Sequence, residues 1–317
     1  MMQIFLAVMI ALIAGMVAGP IVIKKLKEYK QGQMIRLDGP REHYKKQGTP
    51  TMGGLIFIVG IVVSSLIMNR LDQTNLLLLL GMLLFGLIGF IDDRSKIRKH
   101  QSEGLSAKQK LGMGLVFAGG MAYLLNQSLA NYELMIPVMN RSVSLHPVLY
   151  FLFIILFYTA VTNSVNLTDG VDGLCGSVSL VVAIFYIFYG LRLGDSIVTL
   201  FAAALAGALV AYLFFNWHPA RVFMGDTGSF ALGGALATLA IMTKTELLFI
   251  LVGLIYVIES ASVIIQVVSF KTRGGKRVFL MAPIHHHLEK KKWSEVKIVG
   301  VFTLITAICA TAAYLIS

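Results

Sequence analysis

VLYFLFIILFYTAVTNSVNLTDGVDGL, residues 148–174, runs for about twenty residues without a charge and then meets two carboxylates, Asp169 and Asp172. About 20 largely apolar residues is the length that crosses a bilayer's hydrocarbon core as a helix. Within the run, Thr159, Thr162, Asn163 and Asn166 recur at i, i+3, i+4 and i+7. That spacing puts two amides and two hydroxyls on one helical face, aimed at protein or a water-filled interior rather than at lipid. Gly170 and Gly173 flank the carboxylates and let the backbone come close to a ligand. A carboxylate pair beside an apolar run is costly to desolvate unless positive charge meets it, and no Lys or Arg lies near in sequence. The stretch therefore predicts a membrane helix that ends in a site, with the compensating charge supplied from elsewhere.

The rest of the chain agrees. Of 317 residues 57% are hydrophobic and 14% charged, with mean hydropathy +0.79, which is too apolar for a soluble domain. Apolar windows place spans near 3–23, 51–68, 75–91, 110–126, 148–166, 173–191, 196–215, 229–243, 247–270 and 296–316. The expected fold is an all-α polytopic membrane protein of ten transmembrane helices, one integral membrane domain over 1–317. Residues 3–23 have no charge before them and Lys24, Lys25 and Lys27 directly after, so they read as an uncleaved first span rather than a signal peptide. Small-residue patterns at Gly15–Gly19 and Ala203–Gly207 fit close helix packing. Cys175 and Cys309 both lie in apolar runs, so no disulfide framework is implied.

A net charge of +11 could suggest nucleic acid; in a membrane protein it reports loop orientation and anionic lipid or phosphate partners. Alternate loops hold 23 of the 27 Lys and Arg residues, while the opposite loops hold only Arg70, Arg141, Arg192 and Lys244. The positive-inside rule puts the basic loops in the cytoplasm and both termini outside. Asp92 and Asp93, the Asp169/Asp172 loop, Asp226 and the run His285, His286, His287 then all fall on the cytoplasmic side. A transporter more typically keeps its ionisable groups near the bilayer midplane, so gathering at one interface favours surface chemistry.

GFIDDRSK (89–96) ends a span with adjacent carboxylates, which oppose the macrodipole at a helix C-terminus. FNWHPARVFMGDTGSF (215–230) brackets Asp226 with glycines, and hard oxygen ligands on a flexible backbone suit Mg²⁺. In MAPIHHHLEKKKW (281–293) three consecutive histidines cannot all point one way, which argues against a three-His zinc site and for phosphate contact or titration near neutral pH. KKQGTPTMGG (45–54) offers Lys46 and Thr51 to a phosphate. Glu259, Ser262, Gln266 and Ser269 form a polar stripe within a span, a functional candidate or an equally plausible structural group, bordering a route for a lipid tail. There is no GxxxxGK[ST] loop for ATP-driven pumping. A metal-dependent reaction joining a phosphorylated soluble substrate to a phosphorylated lipid accounts for both the basic loops and the acid clusters.

At TPTMGG (49–54), the Asp92–Asp93 pair with Lys96, NSVNLTDGVDGL (163–174), FMGDTGS (223–229) and APIHHHLE (282–289), the sequence resembles the polyprenyl-phosphate sugar-1-phosphate transferases, and within them the phospho-N-acetylmuramoyl-pentapeptide-transferase (MraY) family. The unbroken histidine run favours that branch over the GlcNAc-1-phosphate transferases. The resemblance implies transfer of phospho-N-acetylmuramoyl-pentapeptide from UDP-MurNAc-pentapeptide to undecaprenyl phosphate, giving lipid I and UMP, in the bacterial plasma membrane. It implies Mg²⁺ held by Asp226, Asp92 as nucleophile or base with Asp93 supporting it, and His285 and His286 at the phosphates or sugar. By the same resemblance Lys46, Asn216, Phe223, Asp169, Gly170, Asp172 and Gln266 would line the nucleotide site, Phe223 by stacking on uracil. Thr51, Asn163, Asn166 and His287 complete the expected substrate-binding set, and the family suggests a homodimer.

Overall fold

The structure is a computed structural model that describes residues 1–28, 48–68, 72–99, 104–129, 131–139 and 141–317. These residues form α1 (Met2–Glu28), α2 (Gly54–Met68), α3 (Gln73–Lys99) and α4 (Ala107–Leu129), then a hairpin of β1 (Glu133–Ile136) and β2 (Arg141–Ser144). After it come α5 (Pro147–Thr168), α6 (Leu174–Leu193), α7 (Ser196–Asn216), α8 (Gly225–Met242), α9 (Phe249–Val252), α10 (Leu254–Thr272), α11 (Ile284–Lys290) and α12 (Glu295–Ile316). The opening stretch is thus α5, a turn, and the start of α6. The hairpin, antiparallel with Glu133 opposite Ser144, is among the described residues the one departure from an all-helical reading; nothing in its short, weakly patterned sequence sets it apart from a loop.

Local chemistry fixes the helix ends. Gly194 closes α6 at φ +70°, a left-handed conformation natural to glycine, and Asp195 caps α7 by accepting from Ile197 and Val198 N–H at 3.0 Å. Ser294 caps α12 through Lys297 N–H.

Seven of the described helices (α1, α3, α5, α6, α7, α10 and α12) are long and apolar enough to cross a membrane, which makes this a polytopic membrane protein. The other spans expected from the sequence fall on α2, α4 and α8, which do not reach that length or apolarity. For α8 the reason is its place: every residue from Thr227 to Ile241 is buried. A helix enclosed by other helices can be built of Gly, Ala and Thr instead of lipid-facing aliphatics. The span expected at 75–91 runs on as helix to Lys99, and the one at 247–270 is broken at Gly253 between α9 and α10.

α8 is the axis around which α3, α5 and α2 pack. The approach of α3 is close: a Cβ on Gly89 would sit 1.9 Å from the Asp226 carbonyl oxygen. The small-residue pattern of α1 works as expected, with Gly15 against Ala211 and Gly19 against the Phe215 ring, while Gly207 meets the Val8 backbone.

Candidate active site

The C-terminal half of α3 projects Asp92 and Asp93 onto the first turn of α8. Asp93 Oδ1 accepts from Asp226 N–H at 3.2 Å, and its Oδ2 accepts from Thr227 N–H at 2.8 Å and from Thr227 Oγ1 at 2.7 Å. Asp93 is therefore the N-terminal cap of α8, supplied by another helix, and its charge sits at the positive end of that macrodipole. This is the resolution of the unfavourable dipole position it holds on α3.

Asp92 is fully buried. Its Oδ1 accepts from Leu105 N–H at 2.7 Å, and its Oδ2 lies 2.7 Å from Lys96 Nζ and 3.1 Å from Lys110 Nζ. The same two ammonium groups reach Asp226 Oδ2, Lys96 at 3.2 Å and Lys110 in a direct hydrogen bond. Burial alone would raise the Asp226 carboxyl, but Lys96 and then Lys110 outweigh it and hold the group at about 2. Asp92, Asp93 and Asp226 each offer an oxygen within 4.8 Å of the others, a hard-ligand set that suits a divalent cation.

Lys110 was not among the residues singled out from sequence. Its signal was available: a lysine in the first turn of α4 opposes that helix's dipole, just as the aspartates do at the end of α3. Lys46 lies outside the described residues.

The loop after α5 meets this cluster from the side. Burial first, then the Asp226, Asp93 and Asp172 carboxylates, push the Asp169 carboxyl well above its ordinary value. Asp172 Oδ2 accepts from Ala220 N–H at 3.1 Å and lies 3.1 Å from His218 Nδ1, while Asp172 N–H donates to Glu295 Oε2 at 3.1 Å. His218 and Glu295, neither anticipated, thus tie α12 and the 217–224 loop to the 169–173 loop. Glu295 in a first helical turn after a serine cap reads as an ordinary helix start, so the sequence holds no sign of it.

Asn216 Oδ1 accepts from Gly173 N–H at 2.9 Å and its Nδ2 donates to the Val222 carbonyl at 2.9 Å. It braces the 169–173 and 217–224 loops in this conformation. Phe223 is locked by its backbone, N–H to the Pro50 carbonyl at 2.8 Å and carbonyl from Gly53 N–H at 2.7 Å, which joins the 49–54 motif to the α8 entrance. Thr51 is buried there beside Gly225, whose φ is +73°.

The α5 stripe divides. Thr159, Thr162 and Asn163 donate back to carbonyls of their own helix, and Asn163 is exposed. Asn166 alone reaches across, accepting from Ser229 Oγ on α8 at 2.7 Å. The histidines diverge as their spacing requires. His285 turns inward to Glu259 and Gly170, His286 Nδ1 lies 2.6 Å from Glu289 Oε2, and His287 Nδ1 accepts from Leu280 N–H at 3.1 Å. Gln266 accepts from Val278 and Phe279 N–H and donates to the Phe279 carbonyl, so its amide is engaged with the 276–280 loop rather than with the aspartates.

The chain matches the family model described as glycosyl transferase family 4 over residues 75–244 and the phospho-N-acetylmuramoyl-pentapeptide-transferase signature 1 over residues 46–58. It is 50% identical to a phospho-N-acetylmuramoyl-pentapeptide-transferase of Clostridium beijerinckii over 296 residues, 93% of this chain and 90% of that protein. Proteins of the same name from Clostridium botulinum (strain Eklund 17B / Type B) and Carboxydothermus hydrogenoformans are 48% and 45% identical. The first match covers 95% of this chain and 92% of the relative, the second 95% of each.

Proposed function

The chain belongs to the phospho-N-acetylmuramoyl-pentapeptide-transferase family, and from that premise we propose how its geometry performs the reaction. It transfers phospho-N-acetylmuramoyl-pentapeptide from UDP-MurNAc-pentapeptide to undecaprenyl phosphate, forming lipid I and UMP. The observation that carries the assignment of the site is the meeting of Asp92, Asp93 and Asp226 with Lys96 and Lys110 at one end of a polytopic bundle. That end is the cytoplasmic one on the positive-inside argument, with ten spans and both termini outside. The protein works in the bacterial plasma membrane as a homodimer of single-domain subunits.

Asp226 fits a Mg²⁺ ion, with carboxylate oxygens of Asp92 and Asp93 within 4.8 Å of its own to complete a hard-ligand set once the ion displaces the lysines. Bound there, Mg²⁺ would neutralise charge on the pyrophosphate and on the departing UMP. Lys96 and Lys110 add fixed positive charge where phosphate oxygens gather. Phe223, Asp169, Gly170 and Asp172 sit on the loops assigned to the nucleotide, which Asn216, His218 and Glu295 hold in place.

The favoured path is direct in-line attack by the lipid phosphate. A phosphate monoester is mostly dianionic near neutral pH, its second pKa being about 6, and scarcely needs a carboxylate base. Asp92 is poorly disposed as a covalent nucleophile, because one oxygen accepts from Leu105 N–H and the other is shared by two ammonium groups. It positions the lipid phosphate instead through the Lys96 and Lys110 ammonium groups that it holds in place.

A groove of about 810 Å³ beside α10 supports the lipid route: Val263, Val267, Phe270 and Leu280 give apolar walls, and Lys271, Arg277 and Lys290 supply charge for a phosphate.

The test is UMP release by the purified protein. It should require undecaprenyl phosphate, UDP-MurNAc-pentapeptide and Mg²⁺ together, and cease on chelation. Turnover of UDP-GlcNAc instead would move the protein to the GlcNAc-1-phosphate branch, and a trapped phospho-Asp92 would overturn direct attack.

A further inference from the structure

Glu259 and His285 form a contact that the proposed chemistry has not used. Glu259 lies on α10 and is 0% exposed, and His285, the second residue of α11, is also 0% exposed. His285 Nδ1 lies 3.0 Å from Glu259 Oε2, a close ion-pair approach whose angle falls short of a hydrogen bond, and neither Glu259 oxygen has another hydrogen-bond partner among the described residues. The other ring nitrogen, Nε2, is buried with no hydrogen-bond partner among the described residues. It points at Gly170: a Cβ there would lie 2.2 Å from Nε2. So the ring is held between a membrane-helix carboxylate on one side and the loop of Asp169 and Asp172 on the other, and it fits only because residue 170 has no side chain.

A buried carboxylate and a buried imidazole are each costly unless they answer one another. When a carboxylate accepts from Nδ1–H, it fixes both the tautomer and the plane of the ring, and it leaves Nε2 as the free atom. We infer that Glu259 is a positioning residue: through Nδ1 it orients His285 so that Nε2 faces the 169–173 loop, which the proposed function assigns to the nucleotide substrate. This rests on the proposed function and on the expectation, carried by the family resemblance, that His285 contacts the substrate. Glu259 itself touches no substrate; what it determines is which nitrogen His285 presents, and in which direction.

The test separates orientation from charge and from folding. Full-length protein carrying ¹⁵N-labelled histidine is examined by NMR of the ring nitrogens, with His285→Gln identifying the signal. The parent should show His285 protonated on Nδ1 and bare on Nε2. Glu259→Gln keeps an oxygen that can accept from Nδ1–H, so it should preserve the tautomer and hold kcat within about fivefold of the parent. Glu259→Ala should give mixed tautomers and lower kcat by about 10- to 100-fold, the usual loss when a partner that orients a histidine is removed. KM for the nucleotide substrate should stay within about threefold, because Glu259 orients a reacting group and does not bind the ligand. A parent His285 protonated on Nε2 alone, a Glu259→Gln as slow as Glu259→Ala, or a Glu259→Ala with parental kcat would each overturn the inference. The tautomer is read without substrate: correct tautomers with no UMP release from any variant would defeat the reaction assignment while leaving the Glu259–His285 orientation standing.

Discussion

Gly89→Ala puts the α3–α8 contact to a stringent test. The added Cβ would lie 1.9 Å from the Asp226 carbonyl oxygen, 2.2 Å from its carbon and 2.5 Å from Thr227 N. All three are backbone atoms, so no side-chain rotation relieves the overlap. Restoring an ordinary contact of 3.4 Å means separating the helices locally by about 1.5 Å, which a close-packed interior resists. The three hydrogen bonds from the α8 entrance to Asp93 now span 2.7 to 3.2 Å, and a shift of that size breaks some of them and carries Asp226 away from Asp92. Overpacking of this kind costs about 1–3 kcal/mol of stability, whereas misplacing a reacting group by about 1 Å costs on the order of 100-fold in rate. The expected variant is thus folded but slow. UMP release gives kcat, and thermal unfolding of the same detergent-solubilised sample gives stability. Gly114→Ala on α4 is the control, since a Cβ there meets nothing within 4 Å. A Gly89→Ala enzyme with kcat within about threefold of the parent, less than ~0.7 kcal/mol of barrier, would refute the argument that this glycine sets the position of Asp226.

Three further outcomes follow from the charges. Lys110→Met, which removes an ammonium shared by Asp92 and Asp226, should lower kcat by about 100- to 1,000-fold; Lys108→Met, an exposed lysine on the same turn, should change stability by no more than about 0.5 kcal/mol and leave kcat unchanged. Asp169 has a raised pKa in the fold, so its contribution to stability is present at pH below the ordinary carboxylate value and is lost as pH rises through the elevated one. Asp169→Asn should therefore raise the unfolding temperature at neutral pH and flatten its rise on acidification, and an unchanged pH profile of unfolding would refute this. Asp226 goes the other way: held at about 2, its contribution is present above the ordinary 3.8 and is lost only as pH falls through 2, so it adds no inflection to the rate between about pH 5 and 9.

Much of this site was legible along the chain because membrane chemistry is strict. A charge beside a twenty-residue apolar run has few reasons to be there, so Asp92, Asp93, Asp169, Asp172 and Asp226 stand out against their surroundings. Lys110, His218 and Glu295 do not, because lysines, histidines and glutamates in polar loops and at helix starts are common for reasons of solvation alone. Asn163 and Asn166 show the complementary limit: helical periodicity places them on one face, but only packing against α8 decides that Asn166 bonds Ser229 while Asn163 turns back on its own helix.

The amino-acid sequence by itself determined the helical, membrane-embedded character of the protein, through runs of apolar residues whose length matches a bilayer, and it marked the acidic motifs as chemistry. Tertiary structure alone decided that Asp93 caps a helix it does not belong to, that Lys110 reaches Asp92 and Asp226 while Lys96 also reaches Asp226, and that Gly170 makes room for His285. Those roles depend on distances between residues up to 134 positions apart. Such distances are set by how glycine-lined helix faces close on one another in three dimensions, and no local pattern of residue types encodes them.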